Sequence, residues 1–237
     1  MKNDNKVTIV IPESVSQFVQ LQANNDFMIY EDPPYLPVVA DFLSSLTPQN
    51  CLELGAGIGR MSVYFNKRYA WPDAHFTLQD GDSGTEQYSG VRDSNDAEYY
   101  NSFAATADFC HANDMSSFNI INKISHIDRD IDFCYSFASI GFHWHINLYL
   151  DQLVAVLSDN AKLMFEIRAP FAADANVDET KRQQYQDFFT DQINYANNHP
   201  DYQVESVVNL DNYDGYYYKD RTYFLILSKI ERKPQVQ

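Results

Sequence analysis

From Cys51 onward the apolar positions come in short blocks separated by longer stretches at helical spacing. The blocks at 51 to 54, 75 to 79, 118 to 122, 131 to 138 and 161 to 167 are strand-length and largely apolar, the pattern of strands covered on both faces. Between them the spacing predicts helices over about 59 to 69, 96 to 113 and 146 to 157, with a polar loop at 81 to 95. Strands and helices in this alternation predict an α/β fold, a parallel sheet with helices on both faces. Upstream, 13 to 25 reads as a short amphipathic helix. Pro33 and Pro34 then force an extended break, and Tyr35 to Leu46 reads as a second helix with Leu36, Val39, Ala40 and Leu43 on one face. The break divides the chain into an N-terminal helical or lid segment, 1–34, and a main domain, 35–237. After Pro170 a helix from about 178 to 197 precedes two strand-like runs, Tyr202 to Val208 and Thr222 to Lys229, with no helix between them. Such neighbours pair antiparallel, so the sheet is expected to be mostly parallel with an antiparallel C-terminal pair.

Composition narrows the function classes. With 237 residues, 45% hydrophobic and 15% aromatic, the chain has the apolar content of a folded domain rather than of a disordered acidic one. Lys and Arg number 17 against 33 Asp and Glu, and the formal charge of −16 opposes binding to nucleic-acid phosphates or an anionic membrane. Cys51, Cys110 and Cys134 are odd in number, at no metal-ligand spacing and inside apolar runs, so they read as core thiols of a reducing compartment. No stretch reaches about 18 uncharged apolar residues, and Met1 to Pro12 lacks the features of a secretory leader, so a cytoplasmic location is expected.

The chemistry concentrates in Cys51-Leu52-Glu53-Leu54-Gly55-Ala56-Gly57-Ile58-Gly59-Arg60, a buried strand entering a glycine turn and then a helix. Glycines there let backbone approach a ligand closely, and the N–H groups of the helix start face what is bound. The third glycine arrives one residue too early for Gly-x-Gly-x-x-Gly, which disfavours a nicotinamide dinucleotide. A turn of this kind that binds nothing is the competing reading.

Glu53 stands two residues before the first glycine, the turn closes the first sheet strand, and an acidic residue closes the next. In this the chain resembles class I S-adenosylmethionine-dependent methyltransferases over roughly residues 35 to 230, late antiparallel pair included. The resemblance implies a Rossmann-like sheet and S-adenosylmethionine as cofactor. It implies that Gly55, Ala56, Gly57 and Gly59 line the methionine part and that Glu53 helps orient its ammonium group. Asp80, ending the Phe76 to Gln79 strand, would accept the two ribose hydroxyls, as a carboxylate can. Asp82 competes for that role because Gly81 blurs the strand end. The adenine edge falls near Asn122, with Asp114 the other candidate.

In an open α/β sheet ligands bind outside the carboxyl ends of the strands, so the run from Ser136 to His145 should face cofactor and acceptor, with Ser136 on the cofactor side. Ser136-x-x-Ser139-x-Gly141-Phe142-His143, followed by an aromatic and a Tyr-Leu helix, resembles a branch of sugar O-methyltransferases from bacterial surface-polysaccharide biosynthesis. Ile140 and His145 stand where that branch often has Trp and Pro. The resemblance implies methylation of a hydroxyl on a small molecule, a sugar or sugar-derived intermediate. A hydroxyl acceptor needs a base, and histidine, with a reference pKa of about 6.5, is largely neutral at neutral pH. His143 is the catalytic candidate, ahead of His145. Its alternatives are a packing role and a role that only orients a substrate oxygen. Two alternating histidines without a clear third ligand argue against a metal. His145, Tyr30 and Arg168 are the substrate-binding candidates. Arg168 would use its fork of donors, or else pair internally with Glu166 or Asp132. The Tyr213 to Tyr218 loop is a candidate lid.

The rival readings are a small-molecule N-methyltransferase, which needs no strong base, and a non-catalytic methyltransferase-like binding subunit. Nucleic-acid methylation is disfavoured, because no Asn-Pro-Pro-Tyr-type tetrapeptide follows the fourth strand; Asp32-Pro33-Pro34-Tyr35 imitates one upstream of the glycine turn. The expected partner is a small-molecule methyl acceptor, with no nucleic acid and no membrane, and a monomer or a homodimer stays open.

Overall fold

The computed structural model describes residues 7–13, 15, 36–69, 71, 73–81, 102–137, 139–141, 144–168, 179–209 and 222–231, and among these the side chains of residues 36, 168, 181 and 222 fall outside the description. Seven strands, β1 (Asn50–Leu54), β2 (His75–Gln79), β3 (Phe118–Ile121), β4 (Ile131–Ser136), β5 (Leu157–Arg168), β6 (Tyr202–Asn209) and β7 (Thr222–Lys229), form one sheet in the order β3-β2-β1-β4-β5-β7-β6. The first five run parallel, and β7 is antiparallel to both β5 and β6. The sheet is thus mostly parallel with an antiparallel C-terminal pair, as the helix-free run of two strands at the end of the chain predicts.

Among the described residues α1 (Leu36–Ser45) precedes β1, and α2 (Arg60–Arg68), α3 (Phe103–Ala112), α4 (Asn147–Leu153) and α5 (Glu179–Asn198) stand between successive strands. They cover both faces because β1 is apolar on both. Cys51 belongs to a core shared with Val39 and Leu43 of α1, Val63 and Phe65 of α2 and Phe109 of α3. Leu52 and Leu54 belong to a second core with Leu150 and Leu153 of α4 and Ala196 of α5. Phe65 anchors the first core, its ring 4.9 Å from Tyr135 and 5.8 Å from Trp71 and Phe137. Burial of such a ring contributes about 1.5–3 kcal/mol.

Several boundaries differ from the pattern-based reading. The apolar run around 153 to 157 fits either period, and α4 stops at Leu153 because Leu157 already pairs with Ile131; Lys229 donates to the freed carbonyl of Val154 at 3.0 Å. Ser102 caps α3 by accepting the Ala105 N–H at 3.1 Å. Of the helix expected over 13 to 25, residues 13 and 15 are helical and 16 to 25 lie outside the described residues. Ahead of it, Val10 lies against buried Asn113, whose side chain accepts the Val10 N–H and donates to the Val10 carbonyl, both at 2.8 Å. Part of the segment expected as a lid is therefore docked on the α2–α3 side of the sheet. The cysteines are buried and free, with their thiols pushed up by burial. Among the described residues no helix is long and apolar enough to cross a membrane.

Candidate functional site

β1 pairs with β2 on one side and β4 on the other, so the strand order reverses there, the position at which open α/β sheets hold a ligand crevice outside the carboxyl ends of their strands. The glycine turn sits at that point. Gly55, Gly57 and Gly59 all have positive φ, 65°, 57° and 77°, where a residue with a Cβ pays about 1–2 kcal/mol. Close approach adds a second reason at two of them. A Cβ on Gly55 would lie 1.9 Å from the Ser139 Oγ, and one on Gly59 would lie 2.9 Å from Leu78 Cδ1 and 3.3 Å from the Cys110 sulfur. Gly59 thus lets α2 pack on the sheet, while Gly55 meets the loop that follows β4.

One backbone carbonyl and three side chains hold the turn. The Ala56 N–H donates to the Gln79 carbonyl at 3.0 Å, and the Thr106 hydroxyl donates to the Gly57 carbonyl at 3.0 Å. Asp80, just past β2, accepts from the Gly57 N–H with one oxygen and from the Gly81 N–H at 2.7 Å with the other. Burial pushes its carboxyl up to about 6, against the opposing pull of these two bonds. Ser136 is fully buried, donating to the Leu54 carbonyl at 2.8 Å and accepting the Ile140 N–H at 2.9 Å. Its donor is spent on fastening β1 to the loop after β4.

Glu53 points into the first core, not toward the crevice. One of its oxygens accepts both the Ser62 N–H, at 3.1 Å, and the Ser62 hydroxyl, whose oxygen is 2.6 Å from the Tyr135 hydroxyl. Gly59 begins α2 without a capping side chain, so Glu53 supplies from β1 the acceptor that an N-cap residue would offer to the third helical N–H. Burial pushes this carboxyl up to about 7; the Ser62 bonds and nearby Arg60 pull it down, and Asp80 pushes it further up.

Asn122 follows β3 at the same carboxyl edge, and its carbonyl accepts from the Gln79 amide at 3.4 Å. Asp114 precedes β3 at the opposite edge, in a left-handed turn with φ 61°, so the parallel sheet removes it as an adenine-edge candidate. His143, Tyr30, Asp82 and the Tyr213 to Tyr218 loop lie outside the described residues, and of Arg168 only the backbone, ending β5, is described. Among the described residues no three His, Cys, Asp or Glu are grouped to hold a metal ion.

No family model and no curated protein matches the chain by sequence. Solved structures do match in shape. The O-methyltransferase TomG from Streptomyces achromogenes, in complex with SAM, superposes with a TM-score of 0.55 at 12% identity, covering 94% of this chain and 92% of its own. An O-methyltransferase from Bacillus cereus in complex with SAH gives 0.54 at 10% identity, covering 94% and 93%. The chain has a methyltransferase fold. Cofactor-bound Rv0187 from MTB matches with a TM-score of 0.59 at 8% identity, covering 94% and 91%.

Within this methyltransferase fold the loop after β4 is fixed from outside. Gln192 of α5, fully buried, donates to the Gly141 carbonyl at 3.0 Å and accepts the Ile146 N–H at 3.3 Å, bracketing the loop. Gly141, at φ 90°, fits because a Cβ would lie 2.7 Å from Ile167 Cγ2 and 3.0 Å from the Glu166 carbonyl. His145 leaves the loop toward α5. Its ring lies edge-on to Phe188 and Tyr195, its Nδ1 accepts the Asn147 N–H at 3.1 Å, and burial lowers its pKa. It lines a groove of about 740 Å³ between α4 and α5 with Asp191, Tyr195 and His199. Sequence reasoning passed over Ser62, Thr106 and Gln192, which hold the backbone; it named Ser139 in the run after the fourth strand without a role, and the structure sets that residue against the turn. Only Ser62 had a local signal, standing three residues after a helix start that lacks a capping side chain.

Proposed function

We propose that the chain is an S-adenosylmethionine-dependent methyltransferase acting on the hydroxyl of a small molecule, a sugar or sugar-derived intermediate of the kind used in surface polysaccharides. The carrying observation is the half-buried Asp80 carboxylate facing the glycine turn where the strand order reverses. The residues fit the cofactor. Each Asp80 oxygen accepts one backbone N–H and keeps a second acceptor site, enough for a pair of ribose hydroxyls. A formal charge of −16 does not oppose a cationic sulfonium. When bound, that group supplies an activated methyl for in-line displacement. The chain's part is alignment: the turn and Asp80 fix the donor, and Asn122 stands at the adenine edge. His143, which in sequence falls between Gly141 and Ile146, takes the acceptor's proton as general base. Tyr30 and Arg168 contact the acceptor, whereas His145 faces the groove between α4 and α5. The same reading keeps residues 1–34 as an N-terminal segment beside a methyltransferase domain at 35–237, and places the protein in the cytoplasm.

Calorimetric titration with S-adenosylhomocysteine tests the proposal. The wild type should bind, and Asp80→Asn should bind about 10- to 100-fold more weakly, the scale of lost bonds to a charged group. A wild-type protein that does not bind refutes the reading.

A further inference from the structure

Buried Asn113 uses every hydrogen bond that an amide can make. Its oxygen accepts from the Val10 N–H at 2.8 Å and from Lys67 Nζ at 3.2 Å, and its nitrogen donates to the carbonyls of Val10, at 2.8 Å, and Phe109, at 2.9 Å. Three segments of the chain meet at this one side chain. Asn113 is itself the C-cap of α3, Lys67 stands in the last turn of α2, and Val10 belongs to the N-terminal arm, 7–11. Lys67 also donates to the Thr8 carbonyl at 3.0 Å. The arm is held by its backbone at positions 8 and 10 and by Ile9, which is buried in the core it shares with Met61 and Phe65 of α2 and Phe109 of α3. The side chain of Val10 stays exposed.

The same two helices carry the glycine turn at their other ends. α2 begins at Gly59, and α3 donates from the Thr106 hydroxyl to the Gly57 carbonyl at 3.0 Å. α3 also sets the Cys110 sulfur 3.3 Å from where a Cβ on Gly59 would lie. Thr106 and Asn113 are seven residues apart, about 10 Å along one short helix. A rigid helix pinned at one end to the arm and to α2 transmits a shift at that pin to the turn at the other end. An arm that is docked or released supplies the two discrete arrangements that such coupling needs.

We propose that the arm is a strap for cofactor binding: docked through Asn113, it keeps α2 and α3 at the spacing that holds the glycine turn in its binding form. The strap role rests on the methyltransferase reading above. Asn113 is then a positioning residue, standing at the amino edge of the sheet and acting through α3. Coupling of this kind is reciprocal, so the bound cofactor stabilises the docked arm by the factor by which the docked arm favours the cofactor.

Val10→Pro removes the N–H that Asn113 accepts, at an exposed side chain, and leaves Asn113, Lys67 and the residues of the turn unaltered. In the full chain it should weaken S-adenosylhomocysteine binding about 5- to 20-fold by calorimetric titration. Lys67→Met, which cuts the tie between α2 and the arm, should act in the same direction. In the wild type, S-adenosylhomocysteine should slow hydrogen exchange of the Val10 N–H, which reports docking, by a similar factor. A strap with a structural role alone would lower the denaturation midpoint of both variants without either of these ligand effects. Affinity within about twofold of the wild type in either variant, or Val10 exchange that the ligand does not change, overturns the coupling and leaves the methyltransferase reading intact. A wild type that does not bind S-adenosylhomocysteine overturns both.

Discussion

Glu53→Gln tests the electrostatic account of the turn. Glutamine has the shape of the acid and can accept both Ser62 hydrogen bonds, but it does not ionise. In the folded chain Glu53 loses its proton at about 7 instead of the ordinary 4.5, chiefly because it is buried. Below pH 4.5 the carboxyl is neutral folded and unfolded, and the preference of the fold for the neutral form contributes fully to stability. As pH rises toward 7 the unfolded chain ionises freely while the folded one must hold the proton or bury the charge, so that contribution disappears. The displacement from 4.5 to about 7 corresponds to about 3 kcal/mol. The variant should match the wild type within about 1 kcal/mol near pH 4.5 and exceed it by about 3 kcal/mol at pH 8. That is roughly 5–10 °C in melting temperature for a chain of this size. Asp80, displaced upward from 3.8 to about 6, acts in the same direction in both proteins, and its coupling to Glu53 is the last of the causes of the Glu53 displacement. Urea denaturation of both proteins between pH 4.5 and 8 measures the difference. A stability difference that stays flat across that range would refute the burial argument.

Two other perturbations test how the turn and its neighbouring loop are held. Gly55→Ala forces a Cβ into a left-handed residue and onto Ser139, and should cost at least about 2 kcal/mol in urea denaturation; adding Ser139→Gly should recover the steric part and leave the conformational part. An alanine variant as stable as the wild type would mean that the two loops are not in contact. Gln192→Met leaves the Gly141 carbonyl and the Ile146 N–H without their buried partner and should cost about 2–4 kcal/mol by the same assay. A cost below about 0.5 kcal/mol would show that Gln192 does not bracket the loop.

The strand sequence was legible because a strand buried on both faces writes its burial into consecutive residues, as Cys51 to Leu54 do. The antiparallel end was legible too, since no helix-length stretch separates β6 from β7. The glycine turn and the edge position of Asp80 follow from strand ends, which composition also marks. What could not be read is which atom each polar side chain faces. Glu53 and Ser136 were expected to serve the ligand, yet each alternates inward along its strand and is spent on the protein. Gln192 acts on residues 46 and 51 positions away in the chain, a separation at which no local pattern can signal a partner. Asp114 and Asn122 lie at opposite edges of the sheet although only eight residues apart, a distinction that depends on the direction of a four-residue strand.

Ionised Glu53 and three left-handed residues within five positions are both costly, and neither is required to close the sheet. On the other face, α4 and α5 pack through Leu150, Leu153 and Ala196, with no left-handed residue in either helix. A fold selected only for stability would put glutamine at 53 and a residue with a side chain at 57. Both costs fall where the strand order reverses, beside a carboxylate with acceptor sites to spare. That coincidence argues for a bound ligand at this point, independently of any likeness to other proteins.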